Sequence, residues 1–535
     1  MIIYSTKRII CAFLVFASTS LFGQYVGIIP QPNEVHLKKD SLKLSKTINV
    51  DFSNLDQSSK IYFENYLKNR LQTTVISTSK KKFQLIFQTI QSPSEENYEL
   101  EVNKKAVIIK SGSQKGFFLG LNSLIQLLEF HQKETYFQLP QLSIIDQPQF
   151  VWRGFMLDEA RHFFGSEKVK QLLDWMAFYK LNKFHWHLTD EQGWRIEIKQ
   201  YPNLTKIGGI GNFLDPTADA RYYTQNEIKE IVAYAAARKI EVIPEIDMPG
   251  HATAANRAYP QFSGGGTKEH PDFTFHPAKE ETYQFLSTIL KEVSSLFPSK
   301  IIHLGGDEVA FGSEAWYNDS KIKALKEQYN FSSNKDVERY FMRRMADSIY
   351  NLGSNLAVWD EMVDANLPTD KTIQYWWRHD KKEQLELSLK NGYPTIICPR
   401  IPFYFDFVQD ETHKYGRKWG ADFNPIDKLY HYDFSFAFSL EQYKGQILGV
   451  QANLWTERVN NENRLDFMIF PRLAALSETA WTNSKQKNYN HFLEVLKKHT
   501  TIYKSQNIYF YDLFENTHPE PKVENTKKKY IDNPN

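Results

Sequence analysis

Six consecutive residues, His303-Leu304-Gly305-Gly306-Asp307-Glu308, place two adjacent carboxylates directly behind two glycines at the end of an apolar run. Paired carboxylates are the equipment of general acid/base and glycosyl-transfer chemistry, and glycines beside them leave room for a ligand near the backbone. If the run is a strand, consecutive side chains point to opposite sides. Asp307 and Glu308 then do not face each other across a scissile bond as acid and nucleophile do in ordinary retaining glycosidases. Two acids acting here must work from one side with different jobs. The bland alternative for this string alone is a solvated acidic loop.

Three further strings carry polar residues at the ends of apolar runs. They are Arg153-Gly154-Phe155-Met156-Leu157-Asp158-Glu159-Ala160-Arg161-His162, His185-Trp186-His187-Leu188-Thr189-Asp190-Glu191-Gln192-Gly193-Trp194-Arg195, and Pro244-Glu245-Ile246-Asp247-Met248-Pro249-Gly250-His251. The pair His185 and His187 invites a metal reading, since His-x-His on a barrel strand is a common ligand arrangement. Strand alternation argues against it: if Asp190 faces the site, Trp186 and Leu188 share its side and both histidines face away. No metal and no cofactor are expected. Glu361, next to Asp360, either lines the site or caps a helix.

The elements that must position these residues repeat from Phe150 onward as apolar strand, polar strand end, loop and amphipathic helix. Eight strands are expected: Trp152–Asp158, Lys183–Asp190, Glu241–Asp247, Ile301–Glu308, Leu356–Glu361, Thr372–Trp377, Thr395–Pro399 and Gly449–Trp455. Helices are expected at Glu167–Leu181, Gln225–Lys239, Glu280–Leu296, Asp336–Leu352 and Arg464–Trp481. About ten residues, with Pro368 among them, join the fifth and sixth strands, which is too few for a crossover helix. The alternation fits a doubly wound sheet as well as a (β/α)8 barrel. The barrel is preferred because nearly every strand ends in a polar or aromatic residue, as a ring of contributions to one central site requires. Before it, residues 24–147 read as a small α+β domain with strands at Phe83–Thr89, Tyr98–Val102 and Ala106–Lys110 and a helix at Ser113–His131. Residues 148–483 form the barrel, and 484–535 hold one more helix, an aromatic segment at Ile508–Phe514 and a polar tail from His518 that is expected to be disordered.

Sixty-five basic against 63 acidic residues leave a net charge of +2 and no basic stripe, which argues against a nucleic-acid partner. Aromatic residues make up 15% of the chain, more than a core alone requires and suited to stacking on sugar rings. Lys7 and Arg8 precede an apolar run from Ile9 to Phe22, so residues 1–23 read as a secretory signal peptide and export is expected. No later stretch reaches about 18 uninterrupted apolar residues, so stable membrane insertion is not expected. Cys11 falls in the signal and leaves Cys398 without an intramolecular partner.

Together the four strings resemble the signature of glycoside hydrolase family 20, the β-N-acetylhexosaminidases, over roughly Phe150 to Trp481, and the first domain resembles the non-catalytic domain that commonly precedes that family's barrel. The resemblance implies exo-acting, retaining hydrolysis of terminal N-acetyl-β-hexosamine residues from a glycan. The substrate's own acetamido oxygen would attack the anomeric carbon and form an oxazolinium intermediate. Glu308 would be the acid/base, and Asp307 would orient the acetamido group. Trp359, Trp376 and Trp455 match positions that box in the acetamido methyl and the sugar face, with Trp377 packing away from the site. Arg161 and Glu457 match residues that hold sugar hydroxyls, and Asp190 and His251 match a charge-linked pair that tunes the acid. Tyr404 and Asp406 fall where the family places a tyrosine for the acetamido oxygen and an acid for the hydroxyls, although the flank Arg400-Ile401-Pro402-Phe403 departs from its pattern. A metal-dependent barrel hydrolase and a non-catalytic sugar-binding protein are the competing readings.

Overall fold

The computed structural model describes residues 26–435, 442–443 and 445–523, and the backbone of 531–532. The expected signal peptide lies outside the described residues. Within them, eight parallel strands close into a barrel: β1 (Trp152–Asp158), β2 (Lys183–His187), β3 (Glu241–Glu245), β4 (Ile301–His303), β5 (Asn355–Trp359), β6 (Thr372–Trp376), β7 (Thr395–Ile397) and β8 (Ile447–Leu454). Strand β8 returns to β1, pairing Gly449–Leu454 with Trp152–Leu157, which completes the ring. The (β/α)8 expectation is borne out, and the β5–β6 connection holds only a tight turn at Asp360–Met362 where a helix would stand.

Several strands stop earlier than the apolar runs suggested. Asp190, Asp247, Asp307 and Glu308 therefore lie on loops beyond the strand ends, where alternation no longer dictates their direction. Alternation does hold within the strands and divides the apolar residues into two cores. Met156, Ile243, Ala357, Trp359, Ile373 and Tyr375 fill the barrel interior. Trp186, Leu188 and Trp376 belong instead to the shell between strands and helices.

The helix Glu280–Leu296 has the expected bounds, with Glu280 and Glu281 in its first turn complementing the helix dipole. The helix at Gln225–Ala236 is fixed at its start by a Thr224/Glu227 capping box. The single helix expected over Arg464–Trp481 is instead two, Glu462–Ile469 and Arg472–Trp481, because Pro471 lacks the amide hydrogen that would continue the first.

The first domain is a seven-stranded sheet carrying two helices, Gln57–Leu71 and Gln114–Phe130. Its long antiparallel pair, Glu34–Ser45 with Tyr136–Asp146, and the helix Gln57–Leu71 were not expected. The first strand is exposed along most of its length and shows no alternation to betray it. Of the tail expected to be disordered, residues 518–523 are described and held: Glu520 accepts the backbone amides of Lys414 and Tyr415 and pairs with the buried Arg464 at 2.9 Å, while most of the remainder lies outside the described residues.

One buried cluster joins the two domains. Asp146 pairs with Lys180 Nζ at 3.1 Å and accepts from Tyr98 Oη at 2.5 Å and Trp481 Nε1 at 2.9 Å, with both members of the ion pair sealed from solvent. Removing one partner of such a pair strands the other charge in a low-dielectric interior. Asp146→Ala is expected to destabilise the protein by about 3–5 kcal/mol, measured as a lower urea midpoint at unchanged slope, and a Lys180→Met change made on top should recover much of the loss.

Candidate active site

The carboxyl ends of the strands surround one pocket, whose walls include Arg161, His251, Asp307, Glu308, Trp359, Tyr404, Trp455 and Glu457. That is the face on which barrel enzymes carry their chemistry. Gly305 and Gly306 follow β4 with φ of +65° and +88°, and Glu308 itself is left-handed at φ +52°. A Cβ on Gly305 would lie 1.8 Å from Asp247 Oδ1, so this glycine makes room for a neighbouring carboxylate and not for a ligand. The left-handed turn brings both acids to one imidazole: Asp307 Oδ2 and Glu308 Oε2 are each 3.7 Å from His251 Nε2. The sequence expectation that the two acids point to opposite sides is corrected here, because β4 ends at His303. They differ in depth, with the Asp307 side chain 11% exposed and that of Glu308 35%.

Behind this pair runs a chain of alternating charge. His251 Nδ1 lies 3.1 Å from Asp190 Oδ1, Asp190 Oδ2 lies 2.9 Å from His187 Nε2, and His187 Nδ1 lies 2.7 Å from Glu245 Oε2. Arg161 adds a second cation at 2.8 Å from Asp190 Oδ2. Flanking carboxylates hold the imidazoles of His187 and His251 protonated well above the ordinary histidine range, against the effect of their burial. Burial pushes Asp307 up to about 8 and raises Glu308 as well; the His251 cation opposes both shifts, and Glu361 adds to them.

The aromatic box differs from the expected one. Trp359 and Trp455 line the pocket, but the third tryptophan is Trp377, while Trp376 turns outward and donates to the Lys381 carbonyl at 3.0 Å. Inward-facing Ile373 and Tyr375 set the parity of β6, and Trp377 continues it. Trp377 stacks on Tyr404 with ring centroids 6.1 Å apart and 12° between planes. Asp406 is buried and reaches the pocket through Arg417, whose Nε lies 2.9 Å from Asp406 Oδ2 and whose Nη2 lies 2.6 Å from Glu457 Oε1. Arg417, Trp419 and Arg400 were missed by the sequence reading; Arg417 and Trp419 stand in the long β7–β8 connection, where no periodicity marks them. Buried polar atoms of the pocket walls without a hydrogen-bond partner include Asp307 Oδ1, Arg161 Nε, Glu457 Oε2, His251 Nε2 and Arg400 Nε.

The histidines of β2 are corrected too. His185 and His187 point into the barrel, on the same side as Asp190, because the strand ends at His187 and the chain then turns. His185, Glu245 and His303 lie close enough to share an ion, as do Asp247, His251 and Asp307. A third such group is His187, Asp190 and Asp247, and the donor atoms of all three are largely engaged: both nitrogens of His187 face carboxylates, His251 Nδ1 faces Asp190, and His303 Nδ1 accepts the Gly305 amide at 3.0 Å. The contacts of His187 and His251 fit protonated imidazoles, and all of them fit a hydrogen-bonded core better than a ligand set. A larger groove of about 470 Å³ lies between the helix Gln57–Leu71 and the barrel, lined by Tyr62, Tyr66, Trp175 and Tyr234. Its tyrosine hydroxyls already meet Asn122, Glu129 and Asp174, and it holds no counterpart to the acid pair.

A barrel that gathers two acids, a protonated imidazole and an aromatic box at its strand ends has the build of a carbohydrate-active hydrolase. The chain belongs to glycosyl hydrolase family 20: residues 150–484 match the family's catalytic domain, and residues 25–147 match its domain 2. It is 37% identical over 413 residues to a beta-hexosaminidase of Vibrio furnissii, covering 74% of this chain and 66% of that protein. It is 33% identical to a beta-hexosaminidase of Porphyromonas gingivalis, again over 74% of this chain but only 52% of the other. The chain thus spans between about half and two thirds of these two relatives. The crystal structure of the family 20 exo-β-N-acetylglucosaminidase from Vibrio harveyi, in complex with N-acetylglucosamine, superposes with a TM-score of 0.84 at 32% identity, covering 90% of this chain and 78% of that one.

The raised Asp307 carboxyl has a consequence for stability. An aspartate titrates near 3.8 when unperturbed, whereas folding moves Asp307 to about 8, so between these values the folded state holds a proton that the unfolded chain has released. Stability therefore falls as pH rises through that interval. Asp307→Asn is expected to be more stable than the wild type near pH 8 and to converge with it near pH 4. Thermal melts across that range test the sign, and a wild type that gains on the variant with rising pH contradicts it.

Proposed function

We propose that the chain is an exo-acting, retaining β-N-acetylhexosaminidase that works by substrate assistance. The observation that carries this reading is the approach of both acids to one imidazole from the same side, with Asp307 Oδ1 buried and unpartnered. Neither acid lies across the site from the other to serve as nucleophile. The nucleophile is then the substrate's acetamido oxygen, and Asp307 accepts the acetamido N–H. That hydrogen bond favours the ionised form of Asp307 and opposes the effect of burial. Negative charge beside the acetamido group stabilises the positive charge that develops there.

Glu308, closer to solvent, donates its proton to the leaving glycosidic oxygen as the acetamido oxygen bonds to the anomeric carbon. The glycosidic bond breaks and an oxazolinium ring forms. Glu308, now a carboxylate, takes a proton from the water that attacks the anomeric carbon, and the ring opens with net retention. Trp359, Trp377 and Trp455 enclose the acetamido group and sugar face. Arg161 and Glu457 offer their open polar atoms to sugar hydroxyls, with Asp406 acting behind Arg417. The terminal string from Lys7 to Gln24 supports export through a signal peptide as part of the same proposal.

Glu308→Gln is expected to lower kcat on an aryl N-acetyl-β-glucosaminide by about 10²-fold or more, and full activity in that variant would remove Glu308 as the acid. The matching glucoside without an acetamido group should barely react, whereas comparable rates on the two sugars would refute substrate assistance. The two neighbouring tryptophans separate cleanly. Trp377→Ala should raise KM about tenfold through lost ring contact, while Trp376→Ala should lower the melting temperature and leave KM near wild type.

A further inference from the structure

Where a crossover helix would stand between β5 and β6, the chain turns at once after Trp359, and this turn places Glu361 at the mouth of the barrel. Glu361 Oε2 accepts the indole N–H of Trp377 at 3.0 Å, and Trp377 is a wall of the pocket. Arg378 Nε lies 3.0 Å from Asp360 Oδ1 and 3.7 Å from Glu361 Oε1, so this cation is shared between neighbouring acids. The Glu361 side chain is 10% exposed and belongs to neither core. A carboxylate set here, against a pocket wall and beside two catalytic acids, is poorly explained as a helix cap, since no helix of the usual kind follows it.

We propose that Glu361 is a positioning residue of this site, holding the Trp377 indole as a wall of the pocket and adding a carboxylate to the charges that bear on Glu308; this rests on the reading of Glu308 as the acid. The charges around Glu308 come from several elements. On the cationic side are His251 after β3, Arg161 after β1 and Arg417 in the β7–β8 connection, each of which favours the ionised carboxylate. On the anionic side, Asp307 couples to Glu308, and Glu361 after β5 disfavours ionisation of both. Around Glu361 itself stand Asp360, Arg378 and, on the helix Asn334–Asn351, Glu338 beside Lys335. Asp360 is sealed in the protein, and burial pushes its carboxyl well above the usual carboxylate range. Three cations would otherwise draw Glu308 toward the ionised form, in which it cannot protonate a leaving group.

Glu361→Gln tests this by removing the charge while leaving a side-chain carbonyl to accept the Trp377 N–H. The alkaline limb of kcat/KM is expected to move down by about 0.5–1 pH unit, with KM at acid pH within about twofold of wild type. Glu361→Ala should show the same limb and, in addition, a KM raised about tenfold by loss of the indole's acceptor. A limb in Glu361→Gln that coincides with wild type overturns the electrostatic role, and a normal KM in Glu361→Ala overturns the positioning role. The carboxyl band of Glu308, identified by infrared difference against Glu308→Gln, gives a readout that needs no turnover. Its titration should fall in Glu361→Gln even if Glu308 proves not to be the acid, so failure of this inference and failure of the functional reading remain distinguishable.

Discussion

The site depends on one buried carboxylate that never meets the pocket. Glu245, at the end of β3, has His185 Nε2 at 2.9 Å, His187 Nδ1 at 2.7 Å, His303 Nδ1 at 3.1 Å and Trp359 Nε1 at 2.9 Å. These partners come from β2, β4 and β5, so a single side chain on β3 ties four consecutive strands together at the level where the barrel core becomes the site. Burying a carboxylate without partners costs several kcal/mol, and its neighbours must offset that cost. The His187 cation and the Trp359 indole N–H do so, and the imidazoles around Glu245 hold it well below the ordinary carboxylate range. A fixed negative charge at this depth then dictates the sign of what lies above it. His187 is cationic, Asp190 anionic and His251 cationic, and the acid pair meets the last of these.

Trp359 shows how the same constraint reaches shape as well as charge. Its indole N–H is spent on Glu245, which fixes the ring as a wall against Trp455, 6.1 Å away between centroids. A tryptophan with a free N–H at a wet mouth would sample other rotamers. Pinned below, it presents only its apolar face. Stability is given up for this arrangement, since two acids with raised carboxyls and a left-handed non-glycine residue at Glu308 are all unfavourable by themselves. The packed barrel around them supplies the compensation.

The sequence made the barrel legible because each strand is an apolar run closed by polar residues, and the short β5–β6 link excluded a helix by length alone. It also brought together most residues of the pocket. The errors have a common physical origin. Apolar runs outlast hydrogen-bonded strands, so alternation counted through Asp190 or Glu308 continued past the point where the backbone had turned. His185 and His187 were thereby sent outward, and Asp307 and Glu308 were sent apart. At Trp376 and Trp377 the two rings are chemically alike, and only the inward direction of Tyr375 decides between them. Arg417 had no such signal, since a residue in a long connection is placed by tertiary contacts with Asp406 and Glu457 that are distant in the chain.

Two adjacent residues of similar chemistry acquire different jobs here through depth. Asp307 sits where the pocket is closed, its Oδ1 buried and its nearest cation the His251 ring. A charge that must stay with a bound group through the reaction belongs there, because water would screen it anywhere else. Glu308 has its side chain a third open to solvent, and a group that must give a proton to a departing molecule and take one from an arriving water belongs at that rim. The left-handed turn is what makes the difference possible, since an extended strand would have put one of the two acids outside the barrel. The glycine before it, Gly305, is obligatory for the same reason: its hydrogen is all that fits beside Asp247, and without that contact the turn that divides the two roles could not close.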